Sequence, residues 1–186
     1  MPIGAVVTEA DGQILARGRN HFRDAGLAPV HSHTLAHAEV NALLALDSDH
    51  ADPHTCILYT SCEPCPLCFG AFYMSGLREL RYASRDPFGG SVNLLGTTPY
   101  LSRKPIRVFG PERADLETIL GALHTEFVLR DSGERYRHVV DAWAAVVPEG
   151  VRLGEQVFRD GLLGRLREAG VRAAEVVEQL SAGVNG

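Results

Sequence analysis

His37, Glu39, Cys65 and Cys68 are the residues whose types and spacing could do chemistry together. Cys65 and Cys68 stand three positions apart, about one helical turn, so both thiolates can face one ion. His37 and Glu39 are two positions apart, roughly 200° around a helix, and cannot share its flank. They can share a site only beyond a helix N-terminus, where the first turn opens toward a ligand. Two helix N-termini aimed at one metal would favour thiolates there. Three protein ligands on a zinc ion leave its fourth tetrahedral position to water, the mark of a catalytic site. A carboxylate beside that position can take up a proton and return it.

The same cysteines admit other readings. Cys62, Cys65 and Cys68 resemble the start of a ferredoxin-type cluster run, but that run wants a further Cys followed by Pro, and no Cys follows Cys68. A closed structural zinc site with Cys62 as fourth ligand is the stronger alternative, and Glu39 speaks against it, since a closed site has no use for an acid. Cys56 and Cys62 read as buried thiols near the site. His31 and His33, on a loop, read as solvent or pocket-rim residues.

The elements that must position these residues are visible in the pattern. Gly4–Thr8 is a short apolar run ended by Asp11-Gly12, a hairpin turn signal, and residues 13–18 read as its partner strand. Residues 19–34 have no period and read as a loop. Ala36, Val40, Leu43 and Leu44 follow helical spacing. Residues 56–60 form a continuous apolar run of strand length, expected to be buried on both faces. A helix over 65–75 closes at Gly76, and 80–84 is a further strand. The Gly- and Pro-rich stretch 86–105 reads as a long loop with one helical turn, followed by a strand over 106–109 and an amphipathic helix over 113–129. Strand and helix alternating after residue 55 imply parallel βαβ units behind an N-terminal hairpin. Asp131-Ser132-Gly133 is the expected boundary, giving domains 1–130 and 131–186. The second reads as helices over 134–147, 154–169 and 171–180 whose apolar faces pack on the first.

Composition narrows the function classes. The chain has 186 residues, with 18 basic and 23 acidic residues and a net charge of −5. It is 45% hydrophobic and 22% charged, a globular composition. No apolar run reaches the roughly 18–20 residues that a membrane span needs. Met1-Pro2-Ile3-Gly4 has no basic n-region, so no secretory signal is expected and a cytoplasmic location is. Four cysteines within thirteen residues then point to a metal rather than to disulfides. An acidic balance without a basic block disfavours long nucleic acid. Residues 131–186, with seven basic and nine acidic residues, form no nucleic-acid arm.

Together the two helix openings make the H-x-E…P-C-x-x-C signature of zinc-dependent nucleobase deaminases. At Gly4-Ala5-Val6-Val7, Arg17-Gly18-Arg19-Asn20, Ala36-His37-Ala38-Glu39 and residues 59–68 the chain resembles the cytidine deaminase-like superfamily. It looks most like the purine-acting branch, guanine deaminases and bacterial tRNA adenosine deaminases, over roughly residues 3–130. The resemblance implies an α/β fold, a three-layer α-β-α sandwich around a mixed five-stranded sheet, here with a C-terminal helical extension. It implies one zinc per chain held by His37, Cys65 and Cys68, with Glu39 moving protons between water, a ring nitrogen and the departing ammonia. Asn20 occupies the place of a base- or sugar-contacting asparagine, and the Ala38 amide and Ser61 carbonyl resemble the backbone groups that hold the base edge. A homodimer is implied too. The family usually places a helix before its first strand, whereas this strand begins almost at Met1; either the start is truncated or the C-terminal helices cover that face. Residues 131–186 have no counterpart in the resemblance.

The expected function is hydrolytic deamination of a small nucleobase or nucleoside, guanine-like because of residues 60–71 and in keeping with the acidic charge. The alternative is a tRNA adenosine-to-inosine deaminase, which Arg85-Asp86-Pro87 and the run to Pro105 somewhat resemble. A third reading is a zinc-binding module without catalysis, against which Glu39 stands.

Overall fold

A computed structural model of the chain describes residues 1–23, 28–47 and 49–184. Part of the loop expected over residues 19–34 therefore lies outside the described residues. Strands β1 (Gly4–Thr8) and β2 (Ile14–Arg19) form the expected antiparallel hairpin. Helix α1 (Ala38–Leu44), strand β3 (Ile57–Thr60), helix α2 (Pro66–Ser75), strand β4 (Glu79–Tyr82) and strand β5 (Arg107–Phe109) follow. The five strands make one mixed sheet in the order β2-β1-β3-β4-β5. β1 is antiparallel to β2 and β3, whereas β3, β4 and β5 run parallel. Between β4 and β5 the long loop holds one 3₁₀ turn, Val92–Leu94.

Period-two alternation decides which side chains face the helices. Val7, Leu58 and Leu80 lie in one row across the sheet and bury against Ala38 and Ala42 of α1 and Phe69 and Phe72 of α2. The neighbouring row, Val6, Tyr59, Arg81 and Phe109, faces the other way. Tyr59 is 36% exposed, so the run over 56–60 is not buried on both faces as its apolar composition suggests. The Arg81 guanidinium lies over the Tyr59 and Phe109 rings, 5.8 and 5.0 Å from their centroids, and partly shields them.

Register also gathers one end of the sheet. Gly4 pairs with Arg19 and Ala5 with Thr60, which brings Asn20 and Ser61 to either side of Gly4. α1 lies directly on β2: a β-carbon on Gly18 would stand 2.1 Å from the Ala38 carbonyl oxygen and 2.4 Å from the Ala42 nitrogen. That contact seats the N-terminus of α1 above the same end of the sheet.

The chain divides into two compact units, Pro2–Glu112 and Arg113–Gly186, Met1 grouping with the second. The second unit contains α3 (Ala114–Ser132), α4 (Arg137–Ala144), α5 (Pro148–Arg159), α6 (Leu162–Glu168) and α7 (Ala173–Val184). α3 runs through the boundary expected near residue 130 and belongs with the C-terminal helices, because its apolar face packs on α5 and α7 through Ile119, Val157 and Leu180. The helix expected over 154–169 is two helices, broken where Gly161 takes a left-handed conformation. Trp143 is buried in this unit and stacked on His124 at 4.6 Å. Among the described residues no helix is long and apolar enough to cross a membrane.

Candidate active site

Both chemistry-bearing segments sit at helix N-termini. His37 is the N-cap residue of α1 and Cys65 that of α2, each with extended backbone and no side-chain capping bond. Their carbonyls accept the first helical bonds, from Asn41 N at 3.0 Å and Phe69 N at 2.8 Å. This leaves the His37 and Cys65 side chains available beyond the helix ends, while Cys68 stands one turn into α2. His37 Nδ1 lies 3.6 Å from Cys65 Sγ and 3.4 Å from Cys68 Sγ. Tetrahedral zinc with ordinary Zn–S and Zn–N bonds places sulfur and nitrogen about 3.6 Å apart, so the set fits that ion. The three ligand atoms all lie within 4.8 Å of one another, and among the described residues no other such group occurs.

Glu39, in the first turn of α1, is 3% exposed. The Thr60 hydroxyl donates to its Oε1 at 2.8 Å, and the Cys68 thiol donates to its Oε2 at 3.2 Å. Burial pushes the Glu39 carboxyl up, against the pull of its own backbone amide and of the Cys68 and Thr60 donors. The neighbouring Cys68, and then His37, bring Cys65 down to about 4 against the opposing effect of burial, while the Cys65 sulfur, burial and Glu39 push Cys68 up. The Cys65 sulfur beside His37 holds the imidazole above its ordinary value, with burial pulling the other way.

These directions set a pH dependence. Zinc needs both thiolates and a neutral imidazole, whereas the metal-free site keeps a proton on Cys68 and favours one on His37. Zinc uptake should therefore release protons, and affinity should fall as pH falls, by about tenfold per unit for each proton displaced. Chelator competition at several pH values checks this; an affinity constant from pH 6 to 8 would contradict it.

The remaining expected residues divide. Asn20 is buried, and its Oδ1 accepts the Ala38 N–H at 2.8 Å, so two groups expected to face a base meet each other. Ser61 is tied to β1, its Oγ accepting from Gly4 N at 3.1 Å and its N–H donating to Gly4 O at 2.9 Å. His31 and His33 are exposed, and Cys56 and Cys62 are buried thiols. Three residues not singled out from sequence also take part. Thr60 holds Glu39; its signal is a hydroxyl ending an otherwise apolar strand. Phe22 sets its ring against the His37 imidazole at 5.3 Å and 68°, an aromatic two residues after Asn20. Asn41, buried in α1, accepts from Val30 N at 2.8 Å and donates to Arg19 O at 3.3 Å, pinning both sides of the loop after β2.

The model of the cytidine and deoxycytidylate deaminase zinc-binding region matches residues 1–84. A solved structure of a mutant of the protein NE0047, in complex with 8-azaguanine, is 31% identical with a TM-score of 0.52, covering 67% of this chain and 71% of that one. The chain belongs to this zinc-binding deaminase family. Within it, the chain is 40% identical over 87 residues to the guanine deaminase of Bacillus subtilis, covering 45% of this chain and 50% of that protein. It is 35% identical over 99 residues to the tRNA-specific adenosine deaminase of the same organism, covering 51% and 56%. The chain thus spans about half the length of these curated relatives. His37, Cys65 and Cys68 are the zinc site typical of the deaminase family.

Proposed function

We propose that this chain is a hydrolytic deaminase of a small nucleobase or nucleoside, with a guanine-like purine as the favoured substrate. The observation that carries the reading is Glu39, a buried carboxylate held by Thr60 and touching Cys68, beside the three converging ligand atoms of His37, Cys65 and Cys68 that would hold a zinc ion. Zinc, when bound there, supplies a Lewis acid that makes water a nucleophile near neutral pH. Glu39 takes a proton from the attacking water and delivers it to a ring nitrogen. It then helps move a proton to the amino group, so that the C–N bond breaks, a carbonyl remains and ammonia leaves. One carboxylate suffices because it shuttles protons in both halves of the reaction. Burial favours this by keeping its proton affinity high.

Asn20, Ala38 and Ser61 are the groups proposed to hold the base edge. A substrate that takes the Ala38 N–H must replace Asn20 Oδ1 on it. Phe22, edge-on to His37, offers an aromatic wall suited to a flat heterocycle. NE0047 has been solved with 2,6-diaminopurine and with 8-azaguanine, both purine-like bases, which supports a purine here. A net charge of −5 favours a small substrate over RNA, whose phosphates need basic partners. A homodimer is the assembly that the family resemblance implies.

The test is a panel of guanine, adenine, cytosine, their nucleosides and an adenosine-bearing anticodon stem-loop, assayed with zinc-replete protein. Guanine is expected to release ammonia fastest. Inosine formed only in the RNA would replace this reading with the tRNA alternative.

A further inference from the structure

The segment that presents Cys65 is held from both sides by the loop after β4. Glu63 N donates to Ser84 O at 2.7 Å, and Ser91 N donates to Pro64 O at 2.9 Å. The Glu63 carboxylate accepts the two backbone amides between which this loop turns. Asp86 N donates to Oε2 at 3.3 Å and Val92 N donates to Oε1 at 3.4 Å. The loop is closed on itself as well: Asp86 Oδ1 accepts from Phe88 N at 3.0 Å and Gly89 N at 2.9 Å, and Asp86 O accepts from Gly90 N at 2.8 Å. Gly90 completes the fit, because a β-carbon there would stand 2.5 Å from Glu63 Cδ and 2.6 Å from its Oε2. The carboxylate lies against bare backbone.

We propose that Glu63 is a positioning residue for the metal site, fixing the 84–92 loop as a strap that sets the backbone from which Cys65 projects. The proposal rests on the zinc reading of His37, Cys65 and Cys68. Its physical basis is local. Cys65 is an N-cap residue with extended backbone, so the direction of its sulfur follows the path of the chain through Glu63 and Pro64. Cys68, inside α2, is fixed by helical bonds instead. Without the Glu63 peg, the strap loses the acceptor for two of its amides, and Pro64 loses a firmly placed donor.

The experiment uses the full chain as wild type, Glu63→Ala, Glu63→Gln and Gly90→Ala. Zinc affinity is measured by chelator competition, and the cobalt-loaded proteins by their visible absorption bands. Removing a support of a metal ligand commonly lowers affinity 10–100-fold. Glu63→Ala and Gly90→Ala should each lose about tenfold in zinc affinity and shift the cobalt bands. Glu63→Gln, keeping one acceptor oxygen, should fall between them and wild type. Circular dichroism of the variants should match wild type. If Glu63→Ala fails to fold, the near-isosteric Glu63→Gln decides. Affinities and cobalt bands equal to wild type in the folded variants would overturn the proposal while leaving the zinc site standing. A wild-type chain that takes up no zinc would instead overturn the zinc reading, and this proposal with it.

Discussion

Glu39→Gln should lower the turnover rate by about 10²- to 10⁴-fold, the range for loss of a general acid–base group, with zinc content unchanged. The amide is nearly isosteric and its oxygen can still accept the Thr60 hydroxyl that now donates to Oε1. What it cannot do is take a proton from water and pass it to the ring. Glu39 is not among the three atoms that converge on the metal position, so its loss should not release zinc. Metal analysis beside an ammonia assay checks both halves. Retained activity would show that another group moves the proton, and lost zinc would show that Glu39 supports the metal rather than the chemistry. Glu39→Ala should match the loss of activity, though it also strands the buried Thr60 hydroxyl.

Gly18→Ala should be among the most damaging single-methyl changes in the Pro2–Glu112 unit. Its β-carbon would meet the Ala38 carbonyl oxygen at 2.1 Å and the Ala42 nitrogen at 2.4 Å. Both are backbone atoms of α1, so no side chain can swing aside and the helix itself must move. A loss of about 3 kcal/mol is expected, the upper end of overpacking costs in well-packed interiors. The displacement acts on the turn that carries His37 and Glu39, so zinc affinity should fall with stability. Gly70→Ala is the control, because nothing stands within 4 Å of a β-carbon there, and alanine in a helix is neutral or better. Urea unfolding of the two variants measures the contrast; equal midpoints would contradict the close seating of α1 on β2.

Much of the site could be read from the chain before any coordinates. The three-residue spacing of Cys65 and Cys68 and the impossibility of seating His37 and Glu39 on one flank already forced the site to the helix ends, where both N-cap residues lie. The hairpin was legible from Asp11-Gly12, and the parallel strands from alternation after residue 55. What escaped depends on long-range register. Thr60 reads as the last residue of an apolar strand, and only pairing with Ala5 and contact with α1 bring its hydroxyl to Glu39. The outward turn of Tyr59 is hidden because a continuous apolar run has no visible period. Asn20 and Ala38, each read as facing a base, meet one another because the end of β2 runs under the start of α1. The placement of α3 with the C-terminal helices turns on which neighbours its apolar stripe finds, and amphipathic spacing does not specify them.

The most direct measurement is ammonia release by the zinc-replete chain from guanine in ¹⁸O-labelled water. The expected result is one ammonia for each xanthine formed, with one labelled oxygen in the new carbonyl and release by Glu39→Gln slowed by about 10²-fold or more. Zinc-replete protein that releases no ammonia from any base, nucleoside, nucleotide or RNA would contradict it.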